Sequence, residues 1–362
     1  MKLSTLVLII PLLFIITSCD TSNKPARGTE DEIFVVADSL EYEDLRTALE
    51  STFEKVIYTP QPEKLFNLKR VSPDEIEKFK SKKNIIIAAP LNSESGTSKF
   101  INSIIDTSIK LSILSNQISE VKKYDLWAKN QLVVLLASPS MHELEFSILM
   151  NSDNLLYSFQ KKSDERLYES LYNSRYERKD IEGKLLKEHG WIIYVQADFS
   201  LAANKPENNF VWLRRSPNSD MERWIFIHWI DNAVAGYLNS DSIRTLRNAI
   251  TQKYYQTSDN QSYVVLVEEH LTTKEVNFKG RYALLTQGLW ELNTKGMGGP
   301  FINYSFFDET TKRFYMVDGS IYAPKYSKRN LMQQVDVILQ SFMTESEISA
   351  DRKEDLLDAV ED

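Results

Sequence analysis

The chain has 362 residues, 43 Lys and Arg against 51 Asp and Glu, a formal net charge of −8 and one cysteine. That length suits about two domains, and a lone thiol excludes an internal disulfide. The near-balance of charge outside an acidic C-terminal stretch argues against nucleic acid, whose binding depends on clustered cations that neutralise phosphates.

The chain opens with "MKLSTLVLIIPLLFIITSC", in which Lys2 precedes an uncharged run of eleven residues from Leu6 to Ile16. That run fits a secretory leader and falls short of the roughly 20 apolar residues that a spanning helix needs. Residues 1–18 therefore read as a signal peptide. The sequence Ile16-Thr17-Ser18-Cys19 resembles the lipobox of bacterial lipoproteins. The resemblance implies that Cys19 becomes the acylated N-terminus, and two or three acyl chains hold a protein on a membrane where one holds only weakly. The alternative is an ordinary secreted protein with an accidental cysteine. Residues 19–31, polar and containing Pro25 and Gly28, read as a flexible tether.

From Ile33 the pattern becomes short apolar runs between helical stretches. "EIFVVAD" predicts a buried strand and "SLEYEDLRTALESTF" an amphipathic helix, with Ser39 as N-cap and Leu45, Leu49 and Phe53 on one face. "VIYTP" reads as a second strand, "SPDEIEKFKSKK" as a short helix with Pro73 in its first turn, and "NIIIAAP" as a third strand. One longer helix at "SGTSKFINSIIDTSIKLSILSNQI", a strand at "QLVVLLASP" and a helix at "SMHELEFSILMN" follow. Unbroken apolar strands between helices imply a sheet covered on both faces with parallel neighbours. Residues 32–155 thus form an α/β unit, and the charge-dense residues 156–190 read as a helical connector.

Residues 191–342 are aromatic and strand-like, so the fold class is α+β, an α/β sheet unit followed by antiparallel hairpin-plus-helix units. "NNFVWLRR", "RWIFIHWID" and the helix "SDSIRTLRNAITQKYY" have the same order as "PFINYSFF", "RFYMVDGSIYA" and the helix "KRNLMQQVDVILQSF". This reads as an internal duplication of hairpin plus helix; the alternative is that any two antiparallel hairpins look alike. Residues 343–362 hold eight acids against Arg352 and Lys353 and read as a solvated acidic tail or a frayed helix.

Between the hairpins, Gly296-Met297-Gly298-Gly299-Pro300 precedes a strand and no helix. A phosphate loop needs glycines immediately before a helix N-terminus, so the cluster reads as a bend or bulge feeding the sheet. "GRYALLTQGLWELNTKGMGGPFINYSFFDE", "VDGSIYAP" and "KRNLMQQVDVIL", with "YDLWAKNQLVVLLASP" and "SIRTLRNAITQKY" upstream, resemble a family of Bacteroidota envelope lipoproteins catalogued as a domain of unknown function (DUF4837). The resemblance implies a cell-envelope location and carries no known activity or catalytic residue. The family motif has charges near Leu285 and Gln287, where this chain has none.

No catalytic set assembles in the sequence. His142, His189, His228 and His270 are scattered, none at metal-ligand spacing, so neither metal nor cofactor is expected. No Gly-x-Ser-x-Gly elbow appears, and His270 in "EEH" reads as part of a solvated strand end. The candidate binding residues are Trp212, Arg214, His228, Trp290 and Asp318, with the duplication aligning His228 with Asp318. Aromatic faces beside guanidinium groups can stack on sugars or clamp a peptide, and they also simply fill cores.

The primary expectation is a membrane-anchored, periplasm-facing envelope lipoprotein with a non-catalytic binding or assembly role, its partner an envelope protein or a glycan. One alternative is an envelope hydrolase using carboxylates such as Asp318 and Glu291. Another is capture of a small solute between the two halves.

Overall fold

The structure, a computed structural model, describes residues 24–215 and 220–361. The predicted leader, Cys19 and the start of the tether lie outside the described residues. In the N-terminal unit β1 (Glu32–Val36) leads into α1 (Ser39–Phe53), the short hairpin β2 (Val56–Ile57) and β3 (Glu63–Lys64), then β4 (Asn67–Val71) and α2 (Ile76–Phe79). There follow β5 (Asn84–Ala88), α3 (Gly96–Ile104), α4 (Thr107–Leu114), β6 (Glu120–Tyr124), β7 (Leu132–Leu136), α5 (Met141–Met150) and α6 (Ser152–Leu171).

The five-stranded sheet has the order β4-β1-β5-β7-β6, parallel throughout except for β6. The apolar runs of β5 and β7 are buried along their whole length, as a sheet covered on both faces requires. Leu45, Leu49 and Phe53 of α1 pack on one face with Leu144, Leu155 and Phe159, while Ile101 of α3 and Ile113 of α4 cover the other.

Several local expectations are corrected. α1 starts at Ser39, so the N-cap position belongs to Asp38, whose carboxylate instead accepts the Thr97 N–H at 2.9 Å in the first turn of α3. The single helix expected over 95–118 breaks because the Asp106 side chain accepts from the Ile109 N–H at 2.9 Å and caps α4. "VIYTP" pairs only with β3, away from the main sheet.

The C-terminal unit contains α7 (Lys179–His189), β8 (Trp191–Ile192), β9 (Ser200–Lys205), β10 (Phe210–Arg215), β11 (Glu222–Ile230) and α8 (Ser240–Tyr254). It continues through β12 (Val264–Phe278), β13 (Arg281–Leu292), β14 (Gly298–Asp308), β15 (Arg313–Tyr322), α9 (Arg329–Leu339), β16 (Met343–Thr344) and α10 (Ala350–Glu361). Its seven-stranded sheet has the order β12-β13-β14-β15-β11-β10-β9, and every neighbouring pair is antiparallel. Fold class and architecture are those of an α+β protein, a mixed α/β sheet followed by an antiparallel one.

The two similar hairpins lie side by side through β11 and β15, with Phe226 opposite Asp318. Their helices do not repeat that relationship. α8 covers one face through Ile243 and Ile250, and α9 covers the other through Val335, Ile338 and Leu339. The glycine cluster lets strands approach closely: a Cβ on Gly299 would stand 1.9 Å from the Ile321 carbonyl oxygen.

Three segments outside the sheets also depart from expectation. The described part of the tether is docked, with Ala26 N–H donating to Lys129 O at 2.8 Å and Arg27 N–H to Ser81 O at 2.7 Å. The expected connector divides: α6 joins the N-terminal core through Leu155, Leu156 and Phe159, and α7 joins the C-terminal core through Ile181 and Leu185. The acidic tail forms β16 and α10, because Arg352 and Lys179 meet its carboxylates and Gly183 of α7 lets the α10 backbone come close.

Candidate functional site

All five candidate residues from the sequence fall on the α8-covered face of the seven-stranded sheet, Trp290 and Asp318 buried in it and Trp212, Arg214 and His228 partly exposed at its margin. Trp290 is 1% exposed, donates Nε1–H to Ile321 O at 3.2 Å and packs with its ring centre 5.0 Å from that of Trp224, the planes tilted by 36°. Trp212 packs against Tyr255 with ring centroids 4.9 Å apart, and Arg214 donates to Glu222 Oε2 at 3.0 and 2.7 Å. A glycan platform built on Trp290 is therefore closed off by packing.

Asp318 is fully buried and meets Arg247, not His228. Arg247 Nε donates to Asp318 Oδ2 at 2.7 Å, Nη2 donates to Asp318 Oδ1 at 3.2 Å and to Ser320 at 3.0 Å, and Asn303 donates to Asp318 Oδ2 at 3.0 Å. A carboxylate so enclosed is a structural counter-ion, so the expected Asp318–Glu291 acid/base pair is not placed in a cleft. His228 sits opposite Met316 and Phe210, and burial pushes its imidazole down to about 4.

The cavity that brings polar groups together lies between the two units and has a volume of about 580 Å³. Helical spacing builds two of its walls. Leu156, Gln160 and Asp164 follow one another at four-residue intervals along α6, and Arg329, Gln333 and Asp336 share a face of α9. Ile57 and Tyr58 of the β2–β3 hairpin close one side. The opposite side is made by Thr272 and Lys274 of β12, Gln287 of β13, and Phe301 and Ile302 of β14.

Gln333 joins the units, donating to Asp164 Oδ1 at 2.6 Å and to Ser163 Oγ at 2.9 Å while its own oxygen accepts from Arg329 Nη1 at 2.5 Å. Burial pushes the Asp164 carboxyl up, the Gln333 donor opposes it, and the nearby Asp336 charge adds to it, giving about 7. Burial also raises Asp336, against hydrogen bonds from Tyr304 at 2.7 Å and Gln340 at 3.1 Å. Two carboxyls held above their usual range in one cleft mark a site. Gln160, Gln287 and Lys274 line the same cavity with side chains that have no hydrogen-bond partner among the described residues.

The N-terminal unit also holds α9 directly. Glu63 of β3 accepts the Lys328 N–H at 2.8 Å and the Arg329 N–H at 3.0 Å, as well as the Ser327 hydroxyl. Burial pushes the Glu63 carboxyl up, but these donors at the helix N-terminus outweigh it and hold it below the usual range. At the cleft mouth Tyr58 stacks on His270, which sits in a bulge of β12 with φ of 63°.

The sequence reading missed Asp164, Asp336, Tyr58 and His270 as neighbours. The polar stripe Arg329, Gln333, Asp336 in "KRNLMQQVDVIL" was a readable signal, because an otherwise buried helix that keeps three polar residues on one face needs a polar neighbour.

Residues 177–341 match the family model described as domain of unknown function DUF4837, and residues 26–172 match that described as domain of unknown function DUF8532. The two matches meet where α6 gives way to α7. No curated protein matches the chain. Among solved structures, the Ran-binding protein Mog1p of Saccharomyces cerevisiae is similar at 8% identity and a TM-score of 0.29, with 43% of this chain and 90% of that chain covered. A Mog1 mutant gives the same values.

Proposed function

We propose that this is a lipid-anchored, periplasm-facing envelope protein that binds a small polar solute between its two units without transforming it. The observation that carries the binding half is the cleft of about 580 Å³, a size suited to a small molecule. Its apolar surfaces are Ile57, Leu156, Phe301 and Ile302, the Gln160 and Gln287 side chains that line it have no hydrogen-bond partner among the described residues, and the Lys274 charge acts there on the Asp336 carboxyl. With its carboxyl raised to about 7, Asp164 presents both donor and acceptor forms near neutrality, which suits hydroxyl or amide groups better than a cation. The lipobox-like Ile16-Thr17-Ser18-Cys19 and the sequence likeness to Bacteroidota envelope lipoproteins support the anchor and the address.

Thermal unfolding with panels of mono- and disaccharides, nucleosides and short peptides tests the binding. One class should raise the midpoint of the natural chain and leave a Gln160→Trp/Gln287→Trp variant, whose cleft is filled, unmoved. Equal responses in both proteins with every class would overturn the reading. Intact mass of the membrane-extracted protein tests the anchor.

A second reading, hydrolysis, is favoured by the two raised carboxyls of Asp164 and Asp336 in one cleft. It requires that Asp164→Asn abolish turnover of the bound class while binding persists.

A further inference from the structure

The N-terminal arm is not free. Lys129 N–H donates to Lys24 O at 3.1 Å, Ala26 N–H to Lys129 O at 2.8 Å, and Lys83 N–H to Arg27 O at 3.1 Å. These residues lie immediately before β5 and β7, so the chain enters the fold at the end of the sheet where those two strands begin. β6 runs antiparallel to β7 and ends at Tyr124, opposite Leu132, at the same place. α3 returns from the far end and finishes there with Ile104.

This end is amphiphilic. Lys24, Arg27, Lys82, Lys123 and Lys129 have no ion-pair partner among the described residues, and Lys82 lies 4.8 Å from the centre of the Phe34 ring. Tyr124 is 58% exposed, and Ile104 and Leu126 are exposed as well. Of the acids nearby, Glu77 pairs with Lys80, Glu169 accepts from Asn130, Asp125 accepts the Gln131 N–H, and Asp106, which accepts the Ile109 N–H, is also within reach of the Lys123 charge. Unpaired cations beside exposed aromatic and aliphatic side chains are the residue set of a membrane–water interface.

We infer that this end of the N-terminal unit, around Lys82, Lys123, Tyr124 and Lys129, is a docking face for an anionic bilayer surface. The inference rests on the reading of Cys19 as the acylated residue for its choice of occupant. Four residues, Asp20 to Asn23, separate Cys19 from Lys24, and the five Cα-to-Cα steps span at most roughly 17 Å. A chain anchored at Cys19 and docked from Lys24 onward keeps this face close to the membrane. Lysines near an anionic surface then add to the hold of the acyl chains, and the addition weakens with salt.

The test uses the chain from residue 20 onward, which carries the fold described from residue 24 and has no acyl group. Co-sedimentation is measured with phosphatidylcholine vesicles and with vesicles that also contain phosphatidylglycerol. Binding should appear on the anionic vesicles, fall with added salt, and drop about tenfold or more in Lys82→Glu/Lys123→Glu/Lys129→Glu. A control triple variant, Lys184→Glu/Lys187→Glu/Lys312→Glu, should bind like the parent, and circular dichroism confirms that both variants fold. Equal binding to the two vesicle types, or equal loss in both variants, would overturn the docking face. Acylation is read separately by intact mass of the full-length protein extracted from membranes. An unmodified Cys19 with preserved vesicle binding removes the anchor and spares the face, and an acylated chain without vesicle binding does the reverse.

Discussion

Tyr58 of the N-terminal unit and His270 of the C-terminal unit lie face to face across the mouth of the cleft, ring centroids 3.9 Å apart and planes 6° apart. The imidazole is held there by a backbone with φ of 63°, in a bulge where the β12–β13 register shifts between Val267 and Thr272. A β-carbon-bearing residue in that region of backbone space costs free energy, and such positions persist where the surroundings over-determine them. An aromatic pair is worth about 1 kcal/mol, or roughly fivefold in an opening equilibrium. Tyr58→Ala should therefore raise the maleimide-labelling rate of a Gln287→Cys probe in the cleft about fivefold at nearly unchanged stability. Equal labelling rates with and without Tyr58 would show that the ring pair does not hold the mouth closed.

The buried Arg247–Asp318 pair predicts a large asymmetry between single and double variants. Both side chains are 0% exposed, and the guanidinium lies 3.7 Å from the centre of the Phe301 ring. Arg247→Ala leaves Asp318 charged without its partner and should cost about 3–5 kcal/mol in urea unfolding. Arg247→Met/Asp318→Leu should recover most of that loss, since replacing both charges with apolar groups of similar size is close to neutral.

Much of the fold was legible because its signals are local. The fully apolar β5 and β7 and the periodic face of α1 identify themselves. The edge strands did not: "NLKRV" and "EVKKY" are half polar because each has one open edge, and period alone does not separate them from loops. The site was less legible for a different reason. Asp164 and Asp336 are far apart in sequence and meet only because the units pack, whereas Trp290 and Asp318 looked functional through chemistry that the core absorbs as tilted ring packing and as a buried ion pair.

Asp164 predicts a pH slope. Its carboxyl is raised from 3.8 to about 7, so between those values the folded chain holds a proton that the unfolded chain releases. Its contribution to stability is complete below the unfolded value and is lost as pH rises through the folded one. Asp164→Asn should flatten the decline in urea-measured stability over this window. Glu63 works in the opposite direction, because its lowered carboxyl contributes above 4.5 and loses that contribution as pH falls. An unchanged slope in Asp164→Asn would show that the carboxyl is ionised across the window.

Gly183 predicts how the C-terminal helix is held. A Cβ at this position would stand 2.0 Å from the Leu356 carbonyl oxygen and 2.6 Å from Val360 Cγ2. Gly183→Ala should cost about 1–3 kcal/mol through overpacking. Limited proteolysis should then release residues 343–361 before either sheet is cut. Simultaneous digestion of the whole chain would mean that α10 is inseparable from the unit.

Gly319 shows how a cavity can be dimensioned from behind. On β15, a Cβ there would come within 2.1 Å of Val335 Cγ1, so α9 sits as low on the sheet as a missing side chain permits. The opposite side of that helix carries Arg329, Gln333 and Asp336 into the cleft. A methyl group at 319 would lift the helix toward the N-terminal unit and narrow the space available to an occupant, although no atom of residue 319 borders that space. Under the proposed binding role, the size limit of the cleft is set partly by a position that a comparison of lining residues would overlook.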